Sequence, residues 1–255
     1  MERQTAQVPD ALFADPRLAV LYDALDGDRS DLDAYLQLLE EMSARSVVDV
    51  GCGTGTFACL LAARGFDVIG VDPAAASLRV AQIKESAELV RWVHGDATAL
   101  EPGEADAATM TGNVAQVFVA DDDWLSTLAA VKRALRPGGH LVFEVRDLAK
   151  RAWESWTPER TRRRLDVPGV GPIETWTDVT SVALPLVSFR HYFVFPDSAR
   201  VVSDSTLRFR SAEELAASLG AAGFITTEVR DAPDRPGLEW VFVARSQSAS
   251  AGSRS

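Results

Sequence analysis

The sequence predicts a doubly wound α/β domain that carries an inserted antiparallel β lid. Short β-branched strands alternate with amphipathic helices from Ser46 to Val145, which is typical of parallel strands joined by right-handed crossovers. The alternation stops between Asp147 and Arg210, where prolines interrupt the pattern and strand-like segments follow one another. With 255 residues, of which 47% are hydrophobic, the chain is long enough to bury one large core.

Hydrophobic periodicity defines the individual elements. Two N-terminal helices are predicted at 11–25 and 32–42, with Asp31 as the cap of the second. The predicted core strands are 46–50, 66–71, 89–94, 105–111, 140–145, 224–229 and 238–244. The predicted core helices are 57–64, 74–86, 122–135 and 211–222, the last opened by a capping box of Ser211 and Glu214. The predicted lid strands are 172–180, 186–195 and 200–210.

These elements group into regions along the chain. Residues 1–43 form an N-terminal helical flap, residues 44–150 and 211–245 form the core, and residues 151–210 form the lid. The segment 246–255 is rich in Ser, Ala and Gly, and we expect it to be a disordered tail.

Composition and charge argue against several classes of protein. The net charge of −11 disfavours a nucleic-acid partner, because phosphate backbones are repelled by an acidic surface. No run of about 18 apolar residues predicts a membrane span, and no secretory signal is expected. The two cysteines, Cys52 and Cys59, fit reduced thiols better than a disulfide framework or a metal cluster. We therefore expect a cytoplasmic protein without a metal ion.

A glycine-rich loop, Asp-Val-Gly-Cys-Gly-Thr-Gly at 49–55, follows the first core strand. Glycines let the chain turn sharply and let a ligand approach the backbone, and open α/β sheets bind ligands beyond the carboxyl ends of their strands. A dinucleotide fingerprint needs a third glycine where Thr56 stands, and a P-loop needs a Gly-Lys-Ser/Thr sequence that is absent. The loop predicts a nucleotide-like ligand, with a plain structural turn as the alternative.

Two acidic residues follow the next two strands. Asp72 ends the second strand, where a carboxylate can accept hydrogen bonds from ribose hydroxyls or can cap the following helix. Asp96, in a Gly-Asp-Ala sequence after the third strand, is placed to accept a hydrogen bond from an adenine amine or to form a turn. Together with the glycine loop, these positions predict an adenosine-containing ligand.

In this order and combination the motifs resemble those of the class I S-adenosylmethionine-dependent methyltransferases. The resemblance covers about residues 46 to 146 and includes Thr-Gly-Asn at 111–113 and Leu-Arg-Pro-Gly-Gly at 135–139. It implies a Rossmann-like core of seven strands in a mixed sheet whose last strand is antiparallel. It also implies S-adenosylmethionine as the cofactor and methyl transfer to an N or O atom of a small organic molecule.

The same resemblance assigns cofactor contacts to positions of this chain. The methionine part is expected near the glycine loop, the ribose at Asp72, the adenine at Asp96 and the sulfonium beside the segment after the fourth strand. Tyr22 belongs to a segment that looks like a helical flap over the cofactor, and packing of a helix face is the alternative. The predicted cofactor residues are Tyr22, Asp49, Gly51, Cys52, Gly53, Gly55, Asp72, Pro73, Asp96, Ala97, Thr111, Gly112 and Asn113.

The lid is predicted to roof the acceptor pocket with aromatic side chains. Alternation along strand 186–195 places His191 on one face with three phenylalanines. His191 is a candidate general base, and the alternatives are a satisfied position in the lid core or a half-exposed position. Arg146 and Asp147, at the carboxyl end of the fifth core strand, are candidates for substrate contact or for a local salt bridge.

Two surface features and two other functions stay open. The basic run from Arg160 to Arg164 is interpreted as a solvated helix face, or as a patch that attracts an anionic substrate. An antiparallel lid could offer an edge for a homodimer. The alternative functions are a non-catalytic cofactor-binding protein and a nicotinamide-dependent oxidoreductase. Thr56 argues against the second, because it stands where a dinucleotide fingerprint needs a glycine.

Overall fold

The structure is a computed structural model that describes residues 8–103 and 105–247. Four helices precede the first described strand: α1 (Ala11–Ala14), α2 (Pro16–Ala19), α3 (Tyr22–Leu25) and α4 (Leu32–Glu41). The core then alternates as β1 (Ser46–Val50), α5 (Thr56–Ala63), β2 (Asp67–Asp72), α6 (Ala75–Ala81), β3 (Val90–His94), β4 (Ala105–Met110), α7 (Asp121–Ala134) and β5 (Leu135–Arg146). The lid contains α8 (Pro158–Thr161), β6 (Arg163–Val167), β7 (Gly171–Ala183), β8 (Leu186–Val194) and β9 (Arg200–Arg208). The chain returns to the core with α9 (Ala212–Ala221), β10 (Phe224–Asp231) and β11 (Glu239–Ser246).

The core sheet of the described residues has seven strands in the order β10-β11-β5-β4-β1-β2-β3. Strands β1 to β5 are parallel, whereas β11 lies antiparallel between β5 and β10. The predicted doubly wound, mixed sheet with an antiparallel last strand is confirmed. Because β1 lies beside the central strand β4, the loop that follows β1 opens near the centre of the carboxyl edge, where the strand order changes direction.

Helices cover both faces of the core sheet. On one face α4 and α5 pack on β1 and β2 through residues such as Leu39, Phe57 and Leu61. On the other face α7 and α9 pack on β4 and β5 through residues such as Trp124 and Leu219. Strands β1, β2 and β4 are buried along almost their whole length, so their sequences are mostly apolar rather than alternating, whereas the edge strand β10 is largely exposed. Among the described residues, no helix is long and apolar enough to cross a membrane.

The lid is a separate antiparallel sheet in the order β6-β7-β8-β9. As alternation predicts, one face of β8 is buried, whereas Tyr192 on the other face stacks on Trp176 with 4.9 Å between the ring centroids. The buried face divides into two clusters. Phe193 packs with residues of α1 and α2, and Phe189 packs with Trp153 and Phe209.

Several predicted element boundaries were wrong. The predicted helix 11–25 is three one-turn helices. Pro16 holds the preceding Asp15 in an extended conformation, which separates the first two, and a turn at Val20 and Leu21 separates the last two. The predicted helix 74–86 ends at Ala81. Asp31 does not cap α4, since its carboxylate accepts a hydrogen bond from Arg29 instead.

The basic run and the tail also differ from the expectation. The run from Arg160 to Arg164 is not one helix face, because it passes from α8 into the edge strand β6. Ser246, the first residue of the predicted tail, is buried and pairs with Phe224 at the end of β11. Residues 248–255 lie outside the described part of the chain.

Candidate active site

The glycine loop leaves β1 at the carboxyl edge of the sheet. Gly51 and Gly53 have φ angles of 70° and 54°, in the left-handed region that side chains with a Cβ disfavour. A Cβ on Gly51 would lie 2.7 Å from the Val114 side chain, whereas a Cβ on Gly53 would meet no atom within 4 Å. Gly51 is therefore required by packing, and Gly53 leaves bare backbone facing open space.

Asp72 connects this loop to the next helix. One carboxylate oxygen accepts a hydrogen bond from the Gly53 N–H at 2.8 Å, and the other accepts one from the Ala74 N–H at 2.7 Å. Burial raises the pKa of Asp72, and the two N–H donors counteract that rise. The helix-cap alternative and the ligand role are compatible, because each carboxylate oxygen can accept a second hydrogen bond.

Asp49 is a buried carboxyl group inside β1. Its side chain is 2% exposed and accepts a hydrogen bond from the Thr109 hydroxyl at 2.9 Å. Burial raises the pKa of Asp49 to about 7, although the Thr109 hydroxyl and the positive charge of Arg29 both lower it. The group is poised to lose its proton when a cation binds beside it.

A cavity of about 550 Å³ opens over these residues. All of the predicted cofactor residues line it except Gly55 and Asn113. Gly55 packs instead against Trp92, where a Cβ would lie 2.5 Å from the ring, and Asn113 is buried against Glu239. The structure therefore brings the predicted set together at one place.

The adenine end of the predicted site is a tight turn after β3. Asp96 accepts a hydrogen bond from the Thr98 N–H at 2.8 Å and caps the turn at residues 97–99. The His94 ring forms a hydrogen bond of 3.0 Å with the Pro73 carbonyl, which connects the ends of β2 and β3. These contacts order the backbone on which a planar base would lie.

The roof of the cavity differs from the expectation. We expected lid residues above the pocket, but Thr206 is the one residue of strands β6–β9 that lines the cavity in the described chain. The roof comes from the N-terminal segment through Val8, Pro9, Asp10, Phe13, Tyr22 and Arg29. Burial raises the pKa of Tyr22 to about 12, so this hydroxyl stays protonated and can donate a hydrogen bond.

Arg29 was missed by the sequence analysis. It lines the cavity on the same side as Tyr22, and it forms ion pairs of 3.1 Å with both Asp26 and Asp31. The signal was present, since Arg29 is the one basic residue among the acids of segment 23–33. The Arg29 guanidinium has five N–H donors, more than these two ion pairs use, so it can also bind an anionic group in the cavity, such as a ligand carboxylate.

The predicted candidates for catalysis or substrate contact, His191, Arg146 and Asp147, lie outside the residues that line the cavity. His191 is half-buried, its Nδ1 lies 2.8 Å from the Thr177 hydroxyl, and burial lowers its pKa to about 4. The Asp147 carboxylate accepts a hydrogen bond from the Ala149 N–H and caps a short turn. The Arg146 guanidinium donates to Gln116 at 3.2 Å.

These candidates are nevertheless connected along one wall. The Arg146 guanidinium lies 5.5 Å from the centre of the Trp156 ring, Trp156 contacts Phe189, and Phe189 contacts His191. This row joins the end of β5 to the buried face of β8. It borders the cavity through Val117, which packs on the same aromatic cluster and also lines the cavity.

The cavity wall fits the cofactor that the motifs imply. Its bare backbone at Gly53, its carboxylate at Asp72 and its cation at Arg29 match a loop contact, a pair of sugar hydroxyls and an amino-acid carboxylate. Five aspartates line the wall, namely Asp10, Asp49, Asp72, Asp96 and Asp123. This acidic surface favours a ligand with a positive charge.

Comparisons with known proteins agree with that fit. Residues 47–139 match the family model described as a methyltransferase domain. A ubiquinone biosynthesis O-methyltransferase of Alkalilimnicola ehrlichii is 31% identical over 113 residues, which are 44% of this chain and 46% of that protein. The chain spans about half the length of the curated relatives it matches.

Solved structures share the fold over a longer part of the chain. The sugar N-methyltransferase KedS8 from Streptoalloteichus has a TM-score of 0.73 and 20% identity, covering 97% of this chain and 99% of that one. CalS10 from Micromonospora echinaspora, described as an amino pentose methyltransferase with S-adenosylmethionine bound, has a TM-score of 0.67 and 22% identity, covering 88% and 96%. At these identities the likeness shows the fold.

Proposed function

We propose that this chain, whose residues 47–139 match the methyltransferase-domain model, is a class I S-adenosylmethionine-dependent methyltransferase that transfers a methyl group to an N or O atom of a small organic molecule. The observation that carries the proposal is the extent of the cavity. Its wall continues past the cofactor positions to Val117, Phe118 and Thr206, so it offers room for a second, compact molecule beside the cofactor.

S-adenosylmethionine supplies a methyl group that is already activated by a positively charged sulfur. The residues of the chain therefore need to bind, orient and exclude water more than to activate the methyl group. Asp72 would hold the ribose, Arg29 would hold the methionine carboxylate, and Asp49 would face the positive end of the ligand. The N-terminal roof would exclude water above these contacts.

The acceptor side is assigned to the row of residues between β5 and β8. Arg146 and His191 are the candidates there for contact with the acceptor, and Asp147 orders the turn that follows Arg146. With a pKa of about 4, His191 is neutral near pH 7 and would accept a hydrogen bond more readily than it would remove a proton from an ammonium group. The names of similar proteins include both N- and O-methyltransferases, which supports either acceptor atom.

Calorimetric titration of the purified chain tests the cofactor. We expect binding of S-adenosylmethionine and of its demethylated product, S-adenosylhomocysteine, and no binding of NADH. Asp72→Ala should weaken binding about 30-fold or more, since it removes hydrogen bonds from a charged group. Asp67→Ala, at the exposed opposite end of β2, is the matched control and should bind as the parent does.

Transfer itself is tested by incubating the chain with isotopically labelled S-adenosylmethionine and a panel of small amines, phenols and alcohols. We expect acceptor-dependent release of S-adenosylhomocysteine for a subset of the panel. Binding of NADH alone would overturn the cofactor assignment. Cofactor binding without transfer to any small molecule would favour the non-catalytic alternative.

A further inference from the structure

Glu144 is a buried carboxylate directly behind the cavity wall. It lies in β5, two residues before the strand ends, and it is 4% exposed. One carboxylate oxygen accepts hydrogen bonds from the N–H groups of Gly112 and Asn113, the latter at 3.2 Å. The other oxygen accepts a hydrogen bond from the hydroxyl of the buried Tyr35 in α4. Both oxygens are thus used inside the protein.

The segment that Glu144 holds has an unusual backbone. Gly112 and Asn113 are consecutive residues in the left-handed region, with φ angles of 70° and 62°. The Asn113 side chain donates to Glu239 at 2.9 Å, and Glu239 accepts from Arg235 at 2.6 Å. Asn enters this region more readily than most non-glycine residues, and neighbouring groups decide whether it stays there. Here two buried carboxylates do so.

The consequence for the cavity follows from peptide geometry. Each trans peptide group directs its carbonyl oxygen opposite to its N–H. Because the N–H groups of Gly112 and Asn113 point at Glu144, the carbonyls of Thr111 and Gly112 point away from it. Thr111 and Gly112 line the cavity, and the Tyr22 hydroxyl of the roof lies 3.9 Å from where a Cβ on Gly112 would be. The segment therefore presents acceptors to the cavity rather than donors.

We propose that Glu144 is a positioning residue that holds residues 111–113 so that the carbonyl oxygens of Thr111 and Gly112 face the cavity, and thereby favours a ligand with a positive sulfonium over its neutral demethylated product. Partial negative charges at a fixed position stabilise a nearby cation without reorganising when it binds. The inference rests on the proposed function, since it assumes that the sulfonium ligand occupies this cavity.

A carboxylate at the opposite edge of the sheet offers a matched control. Asp106, at the start of β4, accepts hydrogen bonds from the N–H groups of Arg45 and Ser46, both at 3.0 Å. It thus clamps a backbone segment in the same way, but neither Asp106 nor the residues that it holds line the cavity at the carboxyl edge. Changes at Asp106 should affect stability and leave ligand selectivity unchanged.

Two variants of Glu144 distinguish the effect of the position of its carboxylate from the effect of its charge. Glu144→Asp keeps the charge but shortens the side chain by about 1.5 Å, so the carboxylate no longer reaches both N–H groups. Glu144→Gln removes the charge but keeps the length, since its amide oxygen can accept both N–H bonds and its NH₂ can donate to the Tyr35 oxygen. The readout is the ratio of the dissociation constants for S-adenosylhomocysteine and S-adenosylmethionine, measured by calorimetry on protein whose fold is checked by circular dichroism.

We expect Glu144→Asp to lower the preference for S-adenosylmethionine about tenfold, and Glu144→Gln to leave it within about twofold. Asp106→Glu and Asp106→Asn should leave the ratio at the parent value. An unchanged ratio in folded Glu144→Asp would overturn the proposal, and so would an equal loss in Glu144→Gln, which would indicate charge rather than position. If the parent chain binds neither ligand, the proposed function itself fails, which is a distinguishable result.

Discussion

The N-terminal flap and the lid sheet cover the same side of the core, but they contribute to the cavity very unequally. The flap supplies Tyr22, Arg29 and four further lining residues, whereas the lid strands supply Thr206. The lid instead supports the flap from behind. The Leu12 N–H donates to the hydroxyl of Ser203 in β9 at 2.8 Å, and the Ser205 hydroxyl donates to Asp10 at 2.6 Å.

The apolar contacts follow the same division. Leu12, Leu18 and Leu21 of the flap pack on Phe193 and Ile173 of the lid in one buried cluster. A one-turn helix has no stability of its own in water, so α1, α2 and α3 depend on this tertiary contact. We therefore expect the lid to affect cofactor binding without touching the cofactor, because it gives the flap a surface on which to fold.

The variant with the largest predicted effect removes a buried lid side chain on which the flap packs. Phe193→Ala should lower the free energy of unfolding by about 3–5 kcal/mol, because a buried aromatic ring leaves a cavity. It should also weaken S-adenosylmethionine binding about tenfold, because a loosened flap carries Tyr22 and Arg29 away from the cavity. Urea unfolding and calorimetry measure the two effects.

Phe209→Ala is the matched control for that variant. Phe209 is equally buried, but it packs with Trp153 and Val187 at the other end of the lid. The loss of stability should be similar, and cofactor affinity should change less than about twofold. Equal losses of affinity in the two variants would show that the whole lid affects cofactor binding. The claim that only the lid residues in contact with the flap do so would then be wrong.

The contrast between core and roof also explains what could be predicted from the sequence. The core strands and the glycine loop are short-range patterns, in which a β-branched run, a fixed glycine spacing and Asp72 lie within about 25 residues of one another. Local periodicity is sufficient for such a feature. The core strands could accordingly be predicted from the pattern, and the resemblance of the motifs added the ligand-contacting residues at the carboxyl edge of the sheet.

The roof could not be predicted in that way. The contact between Leu12 and Ser203 joins residues 191 positions apart, and neither residue type signals a partner. Strand β6 was missed because its arginines indicate a solvated surface more than a strand. The break before Pro16, by contrast, follows a local rule that should have divided the first predicted helix.

A smaller effect is expected on the pKa of Asp49, which depends on the charge of Arg29 in the flap. Arg29 lowers the pKa of this carboxyl group, whereas burial raises it to about 7. Arg29→Met should raise the pKa of Asp49 further, because a nearby positive charge is lost. Arg190→Met, which removes a lid arginine paired with the exposed Asp204, should not change it. Carboxyl NMR titration of the cofactor-free protein measures both.

The sign of the pH dependence follows from the raised pKa. The folded state holds the Asp49 proton more tightly than the unfolded state, so the contribution of this group to stability falls as pH rises from about 4 to 7. A cationic ligand prefers the ionised form, so affinity for S-adenosylmethionine should rise with pH between about 6 and 8. Asp49→Asn should remove this dependence. A flat profile in the parent would show that Asp49 does not face the positive end of the ligand.

An ion pair and hydrogen bonds also connect the flap to the glycine loop, and the variant that removes the ion pair should have the smallest effect. The Lys84 ammonium pairs with Asp23 of α3 at 2.7 Å and donates to the Thr56 hydroxyl at 2.7 Å. The Thr54 hydroxyl donates to Asp23 at 2.6 Å. Because Lys84 and Asp23 are 22% and 43% exposed, water and salt screen the pair.

Lys84→Met should therefore raise the dissociation rate of S-adenosylmethionine only about two- to fivefold in stopped-flow measurements, with little change in stability. Arg151→Met, which breaks an exposed pair with Glu154 remote from the flap, should leave that rate unchanged. The effect of Lys84→Met should also shrink at high salt, since exposed charges are screened there. A dissociation rate equal to that of the parent at low salt would show that the Lys84 ion pair does not hold the flap. The flap would then depend on its packing against the lid alone.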